Sequence, residues 1–187
     1  MVSKAIPPQF NVSQPAVASY DWTDIAEGTG IVTFYLIEVR DNTGDIFKLI
    51  PSQIEGSEQG ANGWSSTSYV SFDTTPFNAP RVMKGWAFFS GEVNHTGTNG
   101  TITATLYHYD GTTETAIGTE ATSSSKTGDW NFCLAFNVSR KHFKKGDMIR
   151  LKVKTSAAAI YLNLDPSKTT GVGTQPPRLS VPFEINV

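Results

Sequence analysis

Thr101-Ile102-Thr103-Ala104-Thr105-Leu106-Tyr107 alternates hydroxyl and apolar residues with a period of two, and Ile149-Arg150-Leu151-Lys152-Val153-Lys154 repeats that period with cations in place of the threonines. Period two belongs to an extended strand, whose successive side chains point to opposite faces. Ile102, Ala104 and Leu106 share one face, as do Ile149, Leu151 and Val153, while Arg150, Lys152 and Lys154 are expected to meet water. One dry face and one wet face describe an outer strand of an antiparallel sheet.

The neighbouring sequence extends that pattern. Asp110-Gly111 and Lys145-Gly146-Asp147 place glycine where tight turns need a positive φ. Ile31–Val39 and Ile46–Ile50 are β-branched and aromatic runs around Asp41-Asn42-Thr43-Gly44-Asp45, which reads as a hairpin turn and not a calcium loop, because no late bidentate carboxylate follows. Pro51 ends the second run, and residues 51–66, rich in Gly, Ser, Glu and Asn, read as a long loop. Further strands are expected at Ser68–Phe72, Arg81–Val93, Thr101–Asp110, Glu114–Thr119, Asp129–Val138, Met148–Thr155, Ile160–Leu164 and Leu179–Ile185. Thr23–Glu27, ending at Gly28, is the one helical candidate. Short strands spaced by turns define the fold class: all-β, an antiparallel β-sandwich of jelly-roll type over residues 19–187, with an extended N-terminal arm over residues 1–18.

Pro7, Pro8 and Pro15 keep that arm out of any helix or central strand, while Phe10 and Val12 give it apolar handles. Pro7, Pro8, Phe10 and Val12 are the arm's candidate partner-binding residues. Met1–Pro8 lacks the continuous apolar core of a signal peptide, so the chain is expected to be made in a cytoplasm, or else to be a mature form whose signal has been removed. No apolar run approaches the roughly 20 residues that span a bilayer, so no membrane partner is expected.

Charge is sparse and nearly balanced, 15 basic against 17 acidic residues, which argues against a nucleic-acid partner. The basic run Arg140-Lys141-His142-Phe143-Lys144-Lys145 reads as a solvated loop. Common catalytic patterns are missing: no Gly-x-Ser-x-Gly elbow, no phosphate loop and no metal-ligand spacing around His95, His108 or His142. Asp110, Asp147 and the other turn acids are expected to cap backbone, and His108 to sit on the surface or at a sheet edge. Cys133 reads as a small apolar thiol in a packed strand. Catalytic, metal and cofactor residues are therefore all read as none, and the chain as not an enzyme. Among the tryptophans, Trp86 reads as core or half-core, whereas Trp64, in Gly60-Ala61-Asn62-Gly63-Trp64-Ser65-Ser66, is the first choice for a contact residue.

Ala18-Ser19-Tyr20-Asp21-Trp22-Thr23-Asp24-Ile25-Ala26-Glu27-Gly28-Thr29-Gly30 resembles the openings of tailed-phage virion proteins. Phe143–Leu151 and the closing Val181-Pro182-Phe183-Glu184-Ile185 resemble late strands of jelly rolls. The resemblance, to phage capsid decoration (cement) proteins with a jelly-roll fold, implies a non-enzymatic virion protein on the capsid surface. Its partners would be the major capsid protein or other virion proteins, and it would form a homo-oligomer such as a trimer. The alternative is a carbohydrate- or receptor-binding module, with a glycan at Trp64.

Overall fold

The computed structural model describes residues 30–41, 44–52, 63–95, 97, 99–164 and 175–184. They form eleven strands: β1 (Ile31–Asp41), β2 (Gly44–Ile50), β3 (Val70–Thr74), β4 (Arg81–His95), β5 (Ile102–Tyr109), β6 (Glu114–Ala116), β7 (Ala121–Thr122), β8 (Trp130–Phe143), β9 (Met148–Thr155), β10 (Ile160–Leu162) and β11 (Arg178–Pro182). No helix occurs among the described residues, so the all-β reading holds. The helical candidate Thr23–Glu27 and the arm residues Pro7, Pro8, Phe10 and Val12 lie outside the described residues.

All the strands belong to one mixed sheet instead of two separate ones. β8 pairs with β4; the other side of β4 takes β11 and, near its end, β10. The sheet continues through β1, β2, β3, β9 and β5, and β6 and β7 complete the far side. One pairing departs from the expected antiparallel pattern. β2 and β3 run parallel over Lys48↔Asp73 and Leu49↔Thr74. A parallel return needs a connection of a dozen or more residues, and the stretch between Ile50 and Val70 supplies it.

The sheet curls until its two ends meet. Gly118, between β6 and β7, lies so close to β8 that a Cβ there would come within 3.0 Å of the Phe136 Cβ. The ring of His108 on β5 stands edge-on to Phe143 of β8 at 5.0 Å. The inner faces thus share one core, in which Phe72, Phe89, Phe136 and Phe143 are fully buried. Each such side chain contributes about 2–3 kcal/mol of hydrophobic stabilisation.

Strand β8 shows how sequence sets the faces. Trp130, Phe132, Leu134, Phe136 and Val138 are buried, while Asn131, Cys133, Ala135 and Asn137 are exposed. Cys133 is therefore not the packed thiol the sequence suggested: with phenylalanine and leucine on either side, period two turns it outward. The pattern then breaks. Met83 opposes Lys141 and Gly85 opposes Val138, so two residue steps in β4 face three in β8, a bulge that leaves both Ser139 and Arg140 exposed. Gly85 meets the twist there with φ +117°. Beyond the bulge, Lys141–Phe143 pair with Arg81–Met83 and Arg140 stays within the strand, so the expected solvated loop begins only at Lys144.

The turn chemistry follows the sequence. The Asp110 carboxylate accepts the amides of Thr112 and Thr113 at 2.9 and 2.7 Å, and Gly111 takes φ +92°.

Candidate functional site

Direct cross-strand partners share a face, so the register of β8, β4, β11 and β1 lays out the outer surface of this half of the sheet. Ala135, Phe88, Ser180 and Thr33 form one row, and Cys133, Ser90, Arg178 and Tyr35 the next. On the other side of the first row lie Asn137 with Trp86, and Pro182 with Ile31. Trp86 is 55% exposed, Phe88 41% and Ile31 41%. Such large apolar groups clustered on one side of a sheet mark an interaction surface. The sequence reading had Trp86 in or near the core. It is instead the most exposed large hydrophobic side chain described, because Ala87 and Phe89 take the inward positions on either side of Phe88.

Past the bulge this aromatic face ends in charge. Arg140 Nε donates to both oxygens of Glu184 at 3.3 and 3.0 Å, and Arg140 Nη2 lies 2.9 Å from Glu184 Oε2. Lys84 Nζ stands 4.0 Å from Glu184, and His142 Nε2 3.3 Å from Arg140 Nη1. Arg140 beside it holds the Glu184 carboxyl below its ordinary range. Lys144 and Lys145 follow, both exposed, leaving this end net positive. The backbone fixes it in place: the Glu184 amide donates to Val82 O at 2.8 Å and the Phe183 amide to Gly30 O at 2.6 Å.

The opposite half carries a different surface. On β9, Arg150 makes a two-pronged contact with Asp73, both bonds 2.6 Å, and also reaches Glu114, which Lys152 shares. Each cation lies over a ring: Arg150 over Tyr109 at 3.7 Å, Lys152 over Tyr107 at 5.1 Å, Lys154 over Tyr69 at 4.4 Å. The Tyr69 hydroxyl donates to Glu120, and burial first, then that carboxylate, pushes its pKa up to about 12. Hydrogen bonding to Lys152 chiefly lowers the pKa of Glu114, against its partial burial. These cations do not simply meet water, as alternation alone implied; they are sheathed by rings and acids.

Acid–base chemistry has one local representative. His108 Nε2 lies 2.6 Å from Asp147 Oδ2, and both side chains are largely buried. Burial works against the Asp147 anion, but the His108 contact and the Lys144 amide, donating at 2.7 Å, still hold its pKa below the ordinary value. His108 is thus a paired, inward histidine and not the surface residue expected. Among the described residues no hydroxyl or thiol is bonded to its ring. The pair ties β5 to the β8–β9 turn.

Trp64, the sequence's first choice for a contact, is 6% exposed and belongs to the core. Its amide and carbonyl each pair with Leu162 at 2.8 Å, and its ring packs edge-on against Phe47 and Phe72. The ring borders a cleft of about 310 Å³ with the buried Glu38, Phe47 and Ser65. Two amide bonds to a buried strand hold this part of the glycine-rich stretch against the core.

No family model and no curated protein matches the chain. Solved structures do. An aminopeptidase from a marine-sediment archaeon, Thaumarchaeota archaeon, superposes with a TM-score of 0.50 at 8% identity, covering 81% of this chain and 37% of its own. A CocE/NonD family hydrolase from Staphylococcus aureus gives 0.48 at 15% identity, covering 82% of this chain and 34% of its own. An α-amino acid ester hydrolase gives 0.45 at 15% identity over 62% and 25%. At such identities the likeness is one of fold, and the chain spans about a third of the two longer matches. The archaeal match, to a hydrolase, overturns the expectation of a non-enzymatic capsid decoration protein. The fold is one that this archaeal aminopeptidase contains.

Proposed function

We propose that this chain serves as the β domain of a hydrolase that cleaves ester or amide bonds, and that it joins the rest of that enzyme through the Trp86–Phe88 face. The observation that carries the reading is the exposure of those two rings, side by side on a sheet whose other large apolar groups are mostly inside. The fold supports it, since 81% of this chain superposes on 37% of the archaeal aminopeptidase. Tryptophan and phenylalanine are enriched in interfaces, where a few central aromatics carry most of the affinity. The two rings expose on the order of 200 Å² together, so covering them is worth about 5 kcal/mol before the costs of association.

The test isolates the protein from the cells that make it by a C-terminal affinity tag and assays aminoacyl p-nitroanilides and p-nitrophenyl esters. Hydrolysis is expected with the wild type, and at least a tenfold loss with Trp86→Ser/Phe88→Ser while the far-ultraviolet circular dichroism is unchanged. No turnover by the wild type, or turnover indifferent to the double substitution, overturns the proposal.

A further inference from the structure

The aromatic face has a natural occupant within the same chain. Asp21-Trp22-Thr23-Asp24-Ile25-Ala26-Glu27 carries three carboxylates, no cation, and two large apolar side chains between them. The face offers the complement: exposed Trp86 and Phe88 beside Lys84, Arg140 and His142, with Lys144 and Lys145 beyond. Residues 1–29 lie outside the described residues, but the point where they join the sheet is described. That point is Gly30, whose carbonyl accepts the Phe183 amide and whose φ of +67° turns the backbone.

The register gives the direction. Ile31 opposes Pro182, and the next residue of that segment, Phe183, opposes Met83, so the N-terminal side of Gly30 faces the Lys84–Glu184–Arg140 end of the sheet. β11 separates β1 from β4, a distance of roughly 10 Å. The nine residue steps from Trp22 to Ile31 can span about 30 Å. Reach is therefore ample, and a tether this short sets an effective concentration on the order of millimolar.

We infer that Asp21–Glu27 docks, within one molecule, on the Trp86–Phe88 face, its carboxylates toward Lys84, Arg140 and His142. The inference stands on the face itself and not on the hydrolase reading. Where both hold, the segment and the rest of the enzyme compete for the same rings, and the partner must displace the segment to bind. Because the contact includes exposed charges, raising the salt weakens it.

The experiment uses the full chain with Cys133→Ala and Asn137→Cys, which puts a single thiol directly across from Trp86. Its labelling by a maleimide dye is compared with and without Asp21→Lys/Asp24→Lys/Glu27→Lys. Labelling at least fivefold faster after the charge reversal, and a similar acceleration of the unreversed protein in 0.5 M NaCl, is the expected result. Equal rates overturn the proposal. A second measurement adds Asp24→Cys to the same background and exposes it to oxidised glutathione. An intramolecular disulfide in a monomer is expected; no disulfide, or one joining two chains, overturns the intramolecular docking. Neither readout involves hydrolysis, so failure here leaves the proposed function standing, and the reverse.

Discussion

The two outer faces of this sheet are built from the same strand geometry and end in opposite states. On the β3–β9–β5 side each cation lies over its own ring, and Arg150 and Lys152 also meet carboxylates, Arg150 with Tyr109, Asp73 and Glu114 and Lys152 sharing Glu114. On the β8–β4–β11–β1 side, Trp86 and Phe88 stand beside small side chains, Ala135, Cys133 and Ser180, that cannot cover them. The ionic face is closed because its long side chains lie down on one another; the aromatic face is open because its neighbours are too short. Exposure here is a property of the residue across the ladder more than of the ring itself.

If that contrast is right, substitutions on the two faces differ in kind. The largest effect is expected from Arg150→Ala, which strands Asp73 in a partly buried site and takes one of its two cations from Glu114. A loss of roughly 2–3 kcal/mol in urea unfolding is expected, and a loss under 0.5 kcal/mol would show the network to be decoration. Next comes acid. Asp147 and Glu114 both bind protons less readily in the folded state than at their ordinary values of 3.8 and 4.5. The unfolded chain therefore takes up more protons as the pH falls through that range, and stability present at neutral pH drains away below it. Thermal unfolding followed from pH 6 to pH 3 should show a falling Tm, with a shallower fall in Asp147→Asn. A Tm that rises on acidification contradicts the assignment. Lys152→Ala removes one of the two cations on Glu114 and is expected to cost about 1 kcal/mol, read in the same urea titration. Smallest of all, Trp86→Ser is expected to cost no more than about 1 kcal/mol, the part that the docked segment contributes. A cost above 2 kcal/mol would mean that the ring is part of the fold and not held in reserve for contact.

The strands were legible in sequence wherever polarity alternates. β9 runs over the residues expected, Met148–Thr155, and β5 departs by one residue at each end. Val82–Phe89 defeated the same reading because apolar residues occupy both parities there, so period two does not choose between Trp86 and Phe89. Only the pairing with β8, in which Phe136 and Leu134 sit opposite Ala87 and Phe89, decides which way each ring faces. The outward position of Cys133 follows from Phe132 and Leu134 on either side of it, which claim the inward parity, whereas its own small apolar thiol points to the core. The parallel β2–β3 seam and the His108–Asp147 contact join residues separated by 25 or more positions and leave no local trace. Trp64 looked like a loop residue because glycine and serine surround it; the strand that holds it, β10, lies almost a hundred residues downstream.

The pairing of β1 with β11 has a consequence for synthesis. Thr33 and Ser180, whose hydroxyls meet at 3.0 Å, are 147 residues apart. At ribosomal rates of about 5–20 residues per second, one edge of β1 waits on the order of ten seconds for the strand that will cover it. During that interval β2 can zip onto the other edge, but the Ile31–Tyr35 edge presents bare amides and carbonyls to any extended chain nearby. The nascent protein is then a half-finished ribbon whose safest companion is a chaperone, and β11, when it emerges, acts as its clasp.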